Sequence, residues 1–187
     1  MCFASPRLTT SLASTHLPLH RVPSWLTPAQ VAEASFQLAR FLITLGHVAP
    51  KLAVCSLNPH AGESELLGDE ERRAILPGIR LARRRLRGRA ELIGPIGAES
   101  AYRLAYAGQY AGVVAMYHDQ ATIPTKLVAF GEAVNVTLGL SRVRTSVDHG
   151  TAYDIAWQGK ADAGGMVAAL KLAQRLIQPK PAGSVAG

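Results

Sequence analysis

The run Gly112-Val113-Val114-Ala115-Met116 is short, apolar and rich in β-branched residues, with a glycine turn at Gly108 before it and Tyr117-His118-Asp119-Gln120 directly after it. A run of that length bounded by turn signals reads as a buried strand. Leu52 to Leu57 repeats the pattern, Glu91 to Ile93 repeats it in brief, and Leu8 to Thr15 is a weaker Ser/Thr-rich version. Helical patterns stand between them. From Ser24 to Gly46, Thr27 is placed to cap, Pro28 takes the first helical position, Gln30 completes a capping box and Gly46 closes the element. Val31, Ser35, Leu38, Leu42 and Leu45 share one face of it. Further helices are expected from about Asp69, where Asp69, Glu70 and Glu71 suit a positive N-terminus, from Glu99 to Tyr106, and from Gly165 to Ile177. Pro77 and Gly78 are expected to bend or interrupt the first of these. Strands alternating with helices predict an α/β fold.

The chain has 187 residues, 48% hydrophobic and 18% charged, which suits one globular domain with a sizeable core. Residues 1–178 read as that single unit, and the Pro/Gly/Ala-rich stretch 179–187 as a disordered tail. The formal net charge is +7. The excess is local, because Arg80, Arg83, Arg84, Arg85, Arg87 and Arg89 supply much of it. Those arginines read as a solvated helix face, with an acidic ligand or RNA affinity as the alternatives. Aromatics are 6% and are not interleaved with them, so the stacking platform of a single-strand binder is missing and no nucleic-acid partner is expected. Cys2 and Cys55 make neither a disulfide framework nor a thiolate metal site, and Cys55 reads as a small core residue. No apolar run reaches membrane-spanning length and no signal core is present, so a cytoplasmic location is expected.

The passage Tyr117 to Gly150 gathers most of the reactive side chains. His16, His60 and His118 each follow a strand-like run and precede a turn, the places from which an α/β sheet assembles a ligand site. Three neutral imidazoles suit a divalent ion such as zinc with a position left open for substrate. By spacing alone, three separate hydrogen-bonded histidines remain the alternative. His20 and His47 lack this placement and read as structural. Lys126, Asn135 and Arg144 complement a small anionic ligand, with Asp119 and Asp148 nearby; singly, each is equally a solvated charge or a strand-edge amide. Neither a Gly-x-Gly-x-x-Gly turn after a strand nor a Walker-type lysine loop is present.

Asn58-Pro59-His60-Ala61-Gly62-Glu63, Tyr117-His118-Asp119-Gln120 and Arg144-Thr145-Ser146-Val147-Asp148-His149-Gly150-Thr151-Ala152, in this order, resemble the 4-hydroxythreonine-4-phosphate dehydrogenase (PdxA) family. Thr15-His16-Leu17-Pro18-Leu19 extends the resemblance over nearly the whole chain, which corresponds to roughly the C-terminal half of that family. The resemblance implies an isocitrate/isopropylmalate dehydrogenase-like fold, truncated here by the N-terminal half, and NAD or NADP bound without a glycine fingerprint.

It further implies a divalent metal (Zn, Mg or Co) on His16, His60 and His118, in a site shared across a homodimer. Lys126 and His118 stand at catalytic positions, Lys126, Asn135 and Arg144 at substrate-binding ones, and Arg144, Asp148 and His149 at cofactor-binding ones. The implied reaction oxidises 4-phosphooxy-L-threonine, a small phosphorylated hydroxy-amino acid, to a β-keto acid that decarboxylates to 3-amino-2-oxopropyl phosphate. Two alternatives stand beside it: a paralogue acting on another hydroxy acid or a cis-diol, and an inactive remnant that binds only metal or a partner.

Overall fold

The computed structural model describes residues 1–178, and the tail expected at 179–187 lies outside them. In chain order, β1 (Cys2–Ala4) and β2 (Thr9–Leu12) form an antiparallel hairpin with Phe3 opposite Thr10. The short α1 (Val22–Trp25) leads into α2 (Pro28–Thr44), where the expected capping box forms: Gln30 N–H donates to the Thr27 hydroxyl and Thr27 N–H to the Gln30 side chain. β3 (Lys51–Cys55), α3 (Leu76–Leu86), β4 (Glu91–Ile96), α4 (Ala98–Tyr106) and β5 (Gly112–Ala115) follow. The chain then forms α5 (His118–Ala129), β6 (Val134–Val136), β7 (Thr145–Val147) and α6 (Gly164–Ile177).

The strands make one seven-stranded sheet in the order β4-β3-β5-β2-β1-β6-β7. β4, β3, β5 and β2 run parallel, while β1, β6 and β7 join antiparallel. Side chains alternate across the parallel part as strand geometry requires. Leu52, Val54 and Val114 pack with α2 and α3, whereas Ala53, Cys55 and Val113 pack with Ala101, Tyr102 and Ala105 of α4. With helices on both faces, each fully buried Leu, Val or Ile here contributes about 2 kcal/mol relative to an exposed one. Cys55 is a buried core residue as expected, and burial pushes its thiol pKa up.

One expectation is corrected and two elements are added to the sequence reading. First, Pro77 and Gly78 do not interrupt the helix: a single π-helical turn at Glu71–Ile75 continues directly into α3, with Ile75 and Leu76 both right-handed helical. Pro77 follows that wide turn, and Gly78 is the close-approach point of α2 and α3. A Cβ on Gly78 would lie 2.6 Å from Val31 Cβ and 2.9 Å from the Pro28 carbonyl oxygen. Second, Lys126 stands on a helix, α5, that carries Pro124 in its interior. Third, within Arg144 to Ala152, Thr145–Val147 pairs as β7 with β6. On the outer face of α3, Arg85 pairs with Glu33 at 2.6 Å and lies 3.9 Å above the Phe36 ring, while Arg83 donates to the Leu92 carbonyl.

Candidate active site

The carboxyl ends of β2, β5 and β3 are stitched together by side chains. Ser14 Oγ donates to the Met116 carbonyl at 2.7 Å and Ser56 Oγ to the Asn58 carbonyl at 2.9 Å. Gln120, in the first turn of α5, accepts the Met116 N–H at 2.6 Å and donates to the Ser56 carbonyl at 2.9 Å. One amide thus bridges two strand ends and fixes the start of α5 where His118 stands. Each of these groups would cost stability if buried without a partner, so the network holds the sheet edge in one geometry.

His118 Nδ1 lies 2.7 Å from Asp119 Oδ1, an orientation that leaves Nε2 as the free ring nitrogen. The His16 ring centroid is 5.4 Å from that of His118. His60 lines an open cleft of about 710 Å³ together with Asn58, Tyr117, Asp119 and Gln120. Its backbone is left-handed, as are those of Ala61, Glu63, Ser64 and Glu65. Two of the three histidines are therefore adjacent within one chain. Among the described residues no group of three or more His, Cys, Asp or Glu side chains is placed to hold a metal. The paired imidazoles, with one ring oriented by a carboxylate, fit part of a ligand set that a third imidazole would complete.

The loop carrying His60 is seated on two glutamates. Glu71 is 6% exposed; its Oε1 accepts the N–H groups of Leu57 and Asn58, each at 2.9 Å, and its Oε2 accepts Asn58 Nδ2 at 2.9 Å. Asn58 Nδ2 also donates to Glu70 Oε2 at 2.7 Å. Burial raises the Glu70 pKa, but hydrogen bonds from Asn58, from its own backbone and from Arg73 outweigh that and hold it below its ordinary value. Sequence reading placed Glu71 at a helix terminus as a dipole partner. The structure keeps it in the first helical turn and also turns its carboxylate onto the preceding loop.

The other expected site residues are spread along the antiparallel edge. Lys126 is exposed on α5, and Asn135 in β6 pairs with Phe3 on one side and Ser146 on the other. Arg144 Nη1 donates to Thr137 Oγ1 at 2.8 Å beside a small pocket of about 230 Å³. Among the described residues no hydrogen bond or ion pair joins Lys126, Asn135 and Arg144. The Oδ1 of Asn135 and both carboxylate oxygens of Asp148 are buried without a hydrogen-bond partner. Unmatched buried acceptors are costly, and a ligand bearing O–H or N–H groups would match them. The hydroxyls and carboxamide of a nicotinamide dinucleotide are of that kind. His149 Nδ1 lies 2.9 Å from the Gly150 carbonyl oxygen, and His149 Nε2 would be 3.6 Å from a Cβ placed on Gly165 at the start of α6.

The family described as pyridoxal phosphate biosynthetic protein PdxA matches residues 1–173. The chain belongs to the PdxA family. It is 44% identical over 176 residues to D-threonate 4-phosphate dehydrogenase of Salmonella typhimurium, a match covering 94% of this chain and 53% of the relative. It is similar to the crystal structure of 4-hydroxythreonine-4-phosphate dehydrogenase from Klebsiella pneumoniae, with TM-score 0.81 and 39% identity over 95% of this chain and 53% of that one. A terephthalate 1,2-cis-dihydrodiol dehydrogenase from Burkholderia xenovorans also matches, with TM-score 0.73 and 28% identity over 93% and 54% of the two chains. The chain spans about half the length of the PdxA relatives it matches, and its α/β fold agrees with PdxA structures over that half.

Proposed function

We propose that the chain forms the C-terminal portion of a metal-dependent, NAD(P)-linked dehydrogenase that oxidises 4-phosphooxy-L-threonine at its secondary alcohol. The observation that carries this reading is the His16–His118 pair at the strand ends, with Asp119 orienting His118. His16 and His118 would hold a divalent metal, with His60 from a second copy completing the set. When bound, that metal supplies Lewis-acid polarisation of the substrate hydroxyl.

The chain's own residues do the rest. Lys126 and Arg144 take up the anionic groups of the substrate, and Asn135 orients it between them. Asp148 and His149, with Arg144, receive the dinucleotide, and the unmatched acceptors of Asp148 support that role. A dinucleotide held there would accept hydride from the carbinol carbon, with the hydroxyl proton passing to solvent. The resulting β-keto acid releases carbon dioxide to give 3-amino-2-oxopropyl phosphate. Ile123, Leu127 and Phe130 form an exposed apolar row along α5 near His118, which supports burial of this face against a second copy in a homodimer.

A second reading, in which a relative's substrate is used instead, is favoured by the 44% identity to a D-threonate 4-phosphate dehydrogenase. One assay separates the two. The purified chain is incubated with NAD or NADP and either 4-phosphooxy-L-threonine or D-threonate 4-phosphate, with and without chelator. Chelator-sensitive cofactor reduction with the amino acid alone is the expected result. Reduction with the sugar acid alone would replace the substrate, and chelator-resistant reduction would remove the metal from the account.

A further inference from the structure

The backbone from His60 to Glu65 departs from ordinary geometry more than any other described segment. His60 (φ 50), Ala61 (φ 53), Glu63 (φ 44), Ser64 (φ 55) and Glu65 (φ 74) are non-glycine residues in the left-handed region. Each such residue costs about 1 kcal/mol or more, so the segment keeps this shape only where its surroundings over-determine it. The loop's own backbone hydrogen bonds are three, Glu63 N–H to the His60 carbonyl at 3.2 Å, Leu66 N–H to the Glu63 carbonyl at 3.2 Å and Leu67 N–H to the Gly62 carbonyl at 3.1 Å, and Arg72 pairs with Glu65 at its exposed end.

What over-determines it is the buried carboxylate of Glu71. Its two oxygens accept three N–H groups of Leu57 and Asn58, immediately before Pro59 and His60. Hydrogen bonds to an ionised acceptor are roughly twice as strong as neutral ones. The far end of the loop closes on the same groups. A Cβ on Gly62 (φ +83) would lie 2.8 Å from Glu71 Oε2, and one on Gly68 (φ +137) would lie 2.4 Å from Asn58 Nδ2. Neither glycine leaves room for a side chain, so the loop rests directly on the carboxylate and the amide. The π-helical turn at Glu71–Ile75 begins at this residue, and such wide turns recur at functional sites.

We propose that Glu71 is the positioning residue of His60: through Asn58 and Gly62 it holds the loop so that the imidazole faces the cleft in metal-binding orientation. This assignment rests on the metal reading given above. Residues that orient a ligand typically change metal affinity by about 10- to 100-fold when altered.

The test uses Glu71→Gln and, because a buried carboxylate can matter to folding, Gly62→Ala, which pushes on the same contact from the loop side. Zinc affinity by competition titration, amide exchange of Leu57 and Asn58, and thermal unfolding are measured on each. The expected result is loss of exchange protection at Leu57 and Asn58 and at least about tenfold weaker zinc binding, with cooperative unfolding retained in at least one variant. In a His60→Ala background the same substitutions should weaken zinc no further. Faster exchange with unchanged zinc affinity would overturn the assignment by making Glu71 merely structural, as would an effect that persists fully without His60. Zinc affinity undiminished by His60→Ala alone would overturn the metal reading itself, a distinguishable failure.

Discussion

The parallel and antiparallel parts of the sheet differ in how completely they satisfy themselves. In the parallel part, Leu52, Val54 and Val114 are buried against helices on one face, Ala53, Cys55 and Val113 on the other, and the strand ends are tied by Ser14, Ser56 and Gln120. In the antiparallel part the strands are three residues long, and Asn135 and Asp148 leave buried acceptors unmatched. One part is a finished scaffold; the other keeps polar groups free for something the chain does not supply. Stability concentrates where the packing closes.

Identical deletions should expose the contrast. Val54→Ala, in the five-residue β3 of the parallel part, is expected to cost about 2 kcal/mol in denaturant unfolding, because the tight approach of β4 at Gly94 prevents collapse around the void. Val136→Ala, in the three-residue β6 of the antiparallel part, should cost about 1 kcal/mol. Equal costs would break the comparison. Asp148→Asn sharpens it in the opposite direction. Neutralising a buried, unpartnered carboxylate should stabilise the free chain by about 1 kcal/mol while weakening NAD(P) binding by calorimetry. A destabilised variant would mean that the carboxylate is matched after all.

The smallest effect is at the loop. Glu70 has a folded-state pKa held below its ordinary 4.5, so its contribution is complete above that value and is lost as pH falls through the lower, folded value. The Asn58 side-chain amide, which donates to Glu70, should therefore lose protection below about pH 4.5 before the buried strands lose theirs. Simultaneous loss at both places would remove the loop's separate dependence on Glu70.

How much of this was legible in the sequence follows from how local each signal is. The capping box of α2 and the runs that became β3 and β5 depend on neighbours a few residues apart, and they were readable. β1 and β7 were not, because Cys2–Ala4 and Thr145–Val147 are too short to show a period and owe their strand geometry to pairing with distant partners. α5 was not read as an element, and it carries Pro124 in its interior, a residue that removes one helical hydrogen bond. Glu71 was legible in part. It does stand in the first helical turn as three consecutive acids suggest, but its bonds to Leu57 and Asn58 join residues far apart in sequence and leave no local signal. The histidines at strand ends were legible as candidates, while their grouping was not, because proximity of His16 to His118 is set by the sheet order.

The central claim is that His16 and His118 at the ends of the parallel strands form a metal-ligand set that His60 of a second copy completes. The most direct test is a cobalt(II) titration of the whole chain and its three single His→Ala variants, followed by the visible ligand-field absorption. The account predicts a saturable spectrum for the wild-type chain that each substitution abolishes. A spectrum unchanged in any one of the three variants would contradict it.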